Sequence, residues 1–263
     1  MFNYRDQADG LRRIMAKTTA RMISVIGANG QPVTPWMNNL ALSLLGPEQR
    51  FLLIHGHRQP TVAHSLQQIV ANNHSTKRAI TRHPQGYDLC CLAENDLLTS
   101  PLSQDLKTQL DGIVRQLAYD YDTVLMETQL DAQEHHLALP VSAEHELVIQ
   151  MDRSDTAIKA AYVTIKHISQ QYGQLPLGIV VTGANQDQGQ QYFMRLNQVC
   201  KQFLGVTLTF LGAIPAEQPL PVATAARHVK PELPKHNPTT LAFKSVAHRL
   251  EKQRITTPSL AVA

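Results

Sequence analysis

The chain has 263 residues, 43% hydrophobic and 17% charged, which suits a globular protein with a full core and excludes a disordered chain. Its 24 lysines and arginines against 21 aspartates and glutamates leave a net charge of only +3, so no nucleic-acid partner is predicted. Three cysteines, and no apolar run near the roughly 20 residues of a membrane span, favour a reduced, cytoplasmic protein without a direct membrane span.

The first segment, residues 4–17, precedes the first apolar run and predicts a separate N-terminal helix. Asp6 is its candidate N-cap, and Gly10 is its one helix-weakening residue. We therefore predict an N-terminal helix and linker over residues 1–20, a main α/β domain over residues 21–255 and a loose tail over residues 256–263.

Seven short apolar runs are continuous rather than alternating, which is typical of strands buried on both faces. They cover residues 22–26, 51–54, 87–92, 123–126, 147–151, 177–181 and 207–211. Helical spacing of apolar residues follows the first run and recurs at residues 106–119, 154–172, 190–204 and 240–253, whereas the proline-rich residues 215–238 predict a loop with one short helix. This alternation predicts an α/β fold with a doubly wound, mostly parallel sheet and helices on both faces.

The loop after the first strand reads GANGQPVTPW over residues 27–36. In a phosphate-binding loop, backbone N–H groups wrap the phosphates, a lysine supplies charge, and a Ser or Thr hydroxyl holds magnesium. Gly27, Gly30 and Thr34 fit the glycines and the hydroxyl, but Val33 stands at the lysine position. Two prolines in the loop also remove N–H donors, so it is interpreted as the remnant of a phosphate site.

The order of elements and three stretches of sequence resemble the MinD/ParA family of deviant Walker ATPases, and within it the flagellar-number branch called FlhG or FleN. DQADGLR, at residues 6–12, matches the DQAxxLR of that branch at every fixed position. SDTAIKAAYVTIK, from Ser154, and FLGVTLTFLGAIP, from Phe203, also look like that branch. The resemblance implies a P-loop NTPase-like, MinD-like fold over nearly the whole chain.

Four sites that this resemblance assigns to ATP differ together. The two loop lysines are Ala28 and Val33, the two aspartates after the second strand are His55 and His57, and the aspartate that faces magnesium is Glu127. The Asn-Arg pair near the adenine is replaced by VTG at residues 181–183. The residues interpreted as a vestigial nucleotide loop are Gly27, Gly30, Thr34 and Glu127. We therefore expect no catalytic residue and no cofactor, with ATP and magnesium binding lost.

In the family, the N-terminal helix engages the signal-recognition-type GTPase FlhF and stimulates its hydrolysis. The resemblance therefore implies a partner-binding set consisting of Asp6, Gln7, Ala8, Leu11 and Arg12. A polar Gln7 and a cationic Arg12 suit insertion at another protein's nucleotide site, where water positioning and charge stabilisation limit the rate.

The leading hypothesis is a non-catalytic regulator of flagellar assembly, placement or number that binds FlhF. An ATPase with an atypical site, binding nucleotide through Thr34 and Glu127, stays open, so enzymatic activity is not settled. A protein-interaction module for a transcription regulator, or for a switch, chemotaxis or polar protein, also stays open. Recruitment to the cell pole or the membrane through a partner is compatible with each hypothesis.

The twelve histidines include three at residues 55–64 and an adjacent pair at residues 135–136. No cysteine or acidic residue completes a known metal-ligand spacing with them, so no metal site is predicted. Cys90 and Cys91 lie in an apparent buried strand and are interpreted as packing thiols rather than redox groups. Trp36 is interpreted either as core or as a filler of the vacated nucleotide space.

Overall fold

The computed structural model describes residues 20–28, 33–96, 102–131, 135–216 and 237–252. The predicted N-terminal helix, most of the proline-rich segment and the tail from residue 253 lie outside the described residues. Also outside them are Asp6, Gln7, Ala8, Leu11, Arg12 and Gly30.

The described residues contain eight strands in a single sheet. They are β1 (Arg21–Gly27), β2 (Phe51–His57), β3 (Thr81–Arg82), β4 (Asp88–Ala93), β5 (Thr123–Thr128), β6 (Glu146–Asp152), β7 (Leu177–Thr182) and β8 (Leu208–Ile214). Across the sheet the order is β3-β4-β2-β5-β1-β6-β7-β8, and only the edge pair β3–β4 is antiparallel. The mostly parallel sheet is confirmed; β3, with two residues, is too short to leave a pattern in the sequence.

Six α-helices lie in the part of the chain that the structure describes. They are α1 (Thr34–Leu44), α2 (Leu66–Ala71), α3 (Gln104–Ala118), α4 (Asp155–Tyr172), α5 (Gln186–Leu204) and α6 (Pro238–Lys252), with 3-10 turns at Thr76–Ala79 and Pro140–Ala143. One face of the sheet packs against α1 and α6, and the other against α2 to α5. The doubly wound arrangement with helices on both faces is confirmed. None of the described helices is long and apolar enough to cross a membrane.

Two helices differ from the sequence prediction. The start of α5 lies four residues before the predicted one, because Asn185 and Gln188 form a reciprocal capping box ahead of the first apolar residue. Gly189, a weak helix former, also made this first turn hard to recognise in the sequence. Glycine is needed at this position because a Cβ there would lie only 2.4 Å from the Cβ of Ala213. The other, α2, was not predicted, since six residues do not complete a readable helical period.

The central strands of the sheet are buried on both faces, as their continuous apolar runs predicted, whereas the two residues of the edge strand β3 are half-buried and exposed. In β1, Ile23 and Val25 pack on the side of α1 and α6, while Met22 and Ile26 pack on the opposite side. Each fully buried aliphatic side chain contributes roughly 2 kcal/mol of hydrophobic free energy relative to an exposed one. Because alternate residues are buried on opposite faces, the side of the sheet on which each side chain at the end of a strand lies is fixed as well.

The carboxyl ends of β1, β2 and β5 meet at one edge of the sheet, where α1 begins. The register pairs Val25 with Glu127 and, on the other side of β5, Ile54 with Met126. The residues that follow these pairs therefore converge at the edge where open α/β sheets place their ligand sites.

Candidate functional site

A buried carboxylate lies at the centre of this edge. Glu127, near the end of β5, is 1% exposed. Its Oε1 accepts the Val33 N–H at 3.4 Å, and its Oε2 accepts the Thr34 hydroxyl at 3.4 Å and the Gly56 N–H at 3.0 Å. One side chain thus links β5, the start of α1 and the end of β2.

The first turn of α1 lacks an acceptor of its own. Val33 is the N-cap residue, its side chain cannot cap, and the first turn contains no acidic residue. The N-terminus of a helix leaves backbone N–H groups unpaired and carries a partial positive charge that favours an anion. Glu127 supplies that anion from the neighbouring strand, at the place where a phosphate-binding loop would hold phosphate.

A histidine lies beside the carboxylate on the second strand. His55 is 1% exposed, and its Nδ1 is 3.7 Å from Glu127 Oε2, which makes an ion pair when the ring is protonated. Burial alone would raise the pKa of Glu127, but His55, the Gly56 N–H and His57 outweigh it and hold the pKa below its ordinary 4.5. The carboxylate is therefore ionised at neutral pH.

Gly56 allows the close approach between β2 and the carboxylate. A Cβ at this position would lie 3.4 Å from Glu127 Cγ and 3.5 Å from its Cδ. A single methyl group fits at van der Waals contact, but any longer side chain would meet the glutamate. The N–H of Gly56 makes the shortest of the three hydrogen bonds to Glu127.

The residues predicted to form the vestigial nucleotide loop do not all lie at this site. Thr34 and Glu127 are brought together, with the hydroxyl oxygen 3.4 Å from the carboxylate. Gly27 instead ends β1 and pairs with Gln150 of β6, whose carbonyl accepts the Ala28 N–H at 2.8 Å. Gly30 lies outside the described residues.

The strand end that the family resemblance places near an adenine is held by local hydrogen bonds. Gln150 Nε2 donates to the Thr182 hydroxyl at 2.7 Å, and that hydroxyl donates to the Met151 carbonyl at 3.3 Å. Gly183 follows with a φ of +75°, a left-handed conformation that favours glycine. This strand end is a tight turn into α5.

Other residues singled out in the sequence are core components. Trp36 packs with Met37 and Leu40 in the cluster under α1, and is 6% exposed. Cys90 and Cys91 are buried free thiols, and burial raises the pKa of Cys91 to about 11. Among the described residues, no group of three or more histidine, cysteine or acidic side chains is arranged to hold a metal ion.

Sequence reasoning missed two members of the cluster. Gly56 was not singled out, and His55 was considered only as a replaced aspartate and as a possible metal ligand, not as a neighbour of Glu127. The signal that could have found them is register, because His55 directly follows the pairing of Ile54 with Met126 on β5. A residue next in register to a buried glutamate is a candidate neighbour of its carboxylate.

Among the described residues, the donors differ in one respect from those of a triphosphate site. Such a site presents N–H groups, a hydroxyl and a lysine to the phosphates. In this chain the N–H groups and the hydroxyl face a carboxylate, and no lysine or arginine of the described residues forms an ion pair with it. A phosphate entering this space would meet a negative charge.

Comparison with known proteins places the chain among the MinD/ParA folds. No family model matches it. It is 28% identical over 112 residues to the antiactivator FleN of Pseudomonas aeruginosa, a match covering 42% of this chain and 40% of that protein. A chain of the MinC:MinD cell division complex of Aquifex aeolicus superposes with a TM-score of 0.65 at 14% identity, covering 93% of this chain and 100% of that one. This chain has the MinD/ParA fold and is similar to FleN over about two fifths of its length.

Two further solved structures have the same fold. A plasmid partition protein of Borrelia burgdorferi gives a TM-score of 0.60 at 14% identity, covering 89% of this chain and 99% of that one. A ParA family ATPase of Chlorobium tepidum gives a TM-score of 0.54 at 13% identity, covering 90% of this chain and 96% of that one. The predicted resemblance to the MinD/ParA type, FleN branch, is thus confirmed. The match to FleN spans about two fifths of that relative's length.

Proposed function

We propose that this chain is a non-catalytic, FleN-like regulator of flagellar assembly, placement or number. Its similarity to a protein named as an antiactivator supports a regulatory role. The observation that carries the non-catalytic part is the position of Glu127, whose carboxylate accepts the N–H of Val33 and the hydroxyl of Thr34. ATP and magnesium would have to displace or neutralise this carboxylate before using the same donors.

Isothermal titration of the full chain with Mg-ATP tests this proposal. We expect no tight binding and no ATP hydrolysis, because the lysine position is Val33 and the space carries a buried negative charge. We also expect an oligomeric state that light scattering finds unchanged by Mg-ATP. A dissociation constant in the low micromolar range would overturn the proposal.

A second function, an ATPase with an atypical site, has one supporting observation. The Thr34 hydroxyl lies 3.4 Å from a carboxylate oxygen of Glu127, and hydroxyl and carboxylate oxygens are ligands that Mg²⁺ accepts. In that function the carboxylate would coordinate the metal instead of excluding the nucleotide. The titration with Mg-ATP separates the two functions.

We further propose that the chain acts on the GTPase FlhF through Gln7, Leu11 and Arg12. The support is the match of residues 6–12 to the DQAxxLR of the FleN branch. In the full chain, Gln7→Ala or Arg12→Ala should strongly reduce stimulation of GTP hydrolysis by the cognate FlhF. Glu251→Gln, at an exposed position of α6, is the matched control. Unchanged stimulation by both Gln7→Ala and Arg12→Ala would contradict the proposal.

A further inference from the structure

The donors at the start of α1 and the end of β2 are already paired with an anion from the protein itself. Two backbone N–H groups and one hydroxyl converge on the Glu127 carboxylate from two different elements, at 3.0 to 3.4 Å. In a phosphate-binding loop, donors of these types converge on a phosphate group. The carboxylate therefore has the charge and the hydrogen-bonding partners of such a ligand.

The carboxylate is not explained as half of an ordinary ion pair. A buried charge is costly unless it is paired and hydrogen-bonded. In the described residues Glu127 pairs with no lysine or arginine, and the His55 ring at 3.7 Å is charged only when it is protonated. The pKa of Glu127 is lowered first by the His55 ring and then by the Gly56 N–H, with His57 adding to the effect. The Val33 N–H and the Thr34 hydroxyl add longer hydrogen bonds of 3.4 Å.

A second buried carboxylate shows what a purely structural glutamate looks like in this fold. Glu146, at the amino end of β6, is held by the Arg21 guanidinium through two hydrogen bonds of 2.6 and 2.9 Å. That contact joins β1 to β6 and engages no helix N-terminus. Glu146 is therefore the natural control for any experiment on Glu127.

We propose that Glu127 is an internal surrogate ligand: its carboxylate occupies the phosphate donors of the loop, joins β5, β2 and α1 without nucleotide, and excludes phosphate-bearing ligands. This inference rests on the proposed non-catalytic function and adds the role that the carboxylate takes in place of a bound ligand. Glu127 acts here as a positioning and specificity-determining residue. The site is thereby fixed in one arrangement that no nucleotide is needed to maintain.

Removing the carboxylate should open the site to an external anion. We compare the full chain with Glu127→Ala and Glu127→Gln, using inorganic tripolyphosphate and Mg-ATP as probes and sodium chloride at equal ionic strength as the reference. Binding is measured by isothermal titration and by the shift of the thermal unfolding midpoint. We expect tripolyphosphate to bind the Glu127 variants at least roughly tenfold more tightly than the unaltered chain, a difference of about 1.4 kcal/mol.

Glu146→Gln is the matched control, because it removes a buried carboxylate without touching the loop donors. It should lower the unfolding midpoint without gaining tripolyphosphate binding. The inference is overturned if the Glu127 variants bind tripolyphosphate no better than the unaltered chain, or if Glu146→Gln gains as much. Tight Mg-ATP binding by the unaltered chain would instead overturn the proposed function, so the two failures are distinguishable.

A measurement on the unaltered chain covers the case in which the variants do not fold. The Gly56 N–H should be strongly protected from hydrogen exchange without any ligand, since it is paired with the carboxylate. Exchange should not slow further on adding tripolyphosphate. Rapid exchange at Gly56 that tripolyphosphate suppresses would overturn the inference.

Discussion

The two buried glutamates, Glu127 near the carboxyl end of β5 and Glu146 at the amino end of β6, are held in different ways. Glu146 has a guanidinium partner, Arg21, which also donates to the Leu250 carbonyl at 2.5 Å and so connects the sheet to α6. Glu127 is surrounded by backbone N–H groups, a hydroxyl and a histidine. The first arrangement joins elements of the fold, and the second reproduces the surroundings of a bound anion.

This difference shows how a ligand site can persist in a fold after its chemistry changes. The strand-to-helix turn at the start of α1 leaves N–H groups that need an acceptor whether or not a nucleotide is present. A carboxylate on the adjacent strand satisfies that need permanently. The scaffold then keeps its tight turn, although the lysine position is Val33.

The largest effect is expected from breaking the Arg21–Glu146 pair. Arg21→Ala leaves the Glu146 carboxylate buried without its cation, and loss of one partner of a buried pair costs about 3 kcal/mol of unfolding free energy. Urea unfolding at neutral pH measures it. The double variant Arg21→Met, Glu146→Leu should recover part of the loss, because an apolar pair leaves no uncompensated charge. A loss below about 1 kcal/mol for Arg21→Ala would show that the Arg21–Glu146 pair is solvated. The contrast drawn between the surroundings of Glu146 and Glu127 would then be wrong.

A smaller but clear loss is expected from neutralising Glu127. Glu127→Gln replaces charge-assisted hydrogen bonds by neutral ones and turns an amide NH₂ toward other donors, at a cost of about 2 kcal/mol. The same urea titration measures it, with the exposed Glu251→Gln as the control within about 0.5 kcal/mol of the unaltered chain. Equal stability of Glu127→Gln and the control would mean that the Glu127 carboxylate does not hold β5, β2 and α1 together.

The contribution of Glu127 should also depend on pH with a defined sign. Its pKa is lowered in the folded chain, so its stabilisation is complete above the unfolded value and is lost as pH falls through the folded value. The stability difference between the unaltered chain and Glu127→Gln should therefore decline in acid below about pH 4.5. The groups facing the carboxylate are His55 and His57 of β2 and Cys91 of β4.

Repeating the comparison in a His55→Gln background separates the contribution of the His55 ring from that of the carboxylate. Glu144, whose pKa is lowered chiefly by its hydrogen bond with Arg115, is present in every variant, so its titration cancels in the comparison. A difference that grows between pH 4.5 and 3 would contradict the assigned direction.

The sequence predicted the sheet better than it predicted the site. Continuous apolar runs located seven strands because each is buried on two faces, whereas β3 and α2 are too short for a period to form. The resemblance to a nucleotide-binding family drew attention to Thr34 and Glu127, which do lie together. The contacts of Gly56 and His55 with Glu127 depend on the register between β2 and β5, which is a tertiary feature that local pattern does not carry.

The smallest effect is expected at Thr34, and it separates the two functions most cleanly. The hydroxyl makes a long hydrogen bond of 3.4 Å to Glu127 and is partly exposed, so water can replace it. Thr34→Val, nearly equal in shape and helix propensity, should cost about 0.5 kcal/mol in urea unfolding, and Thr34→Ser should cost less.

If the hydroxyl held magnesium, Thr34→Val would instead abolish nucleotide binding and every activity that depends on it. We expect stimulation of FlhF by the full chain to be unchanged in both variants. Because the Glu127 carboxylate already occupies the site, removing the Thr34 hydroxyl cannot release a bound nucleotide. Loss of that activity in Thr34→Val but not in Thr34→Ser would favour the atypical ATPase over the non-catalytic regulator.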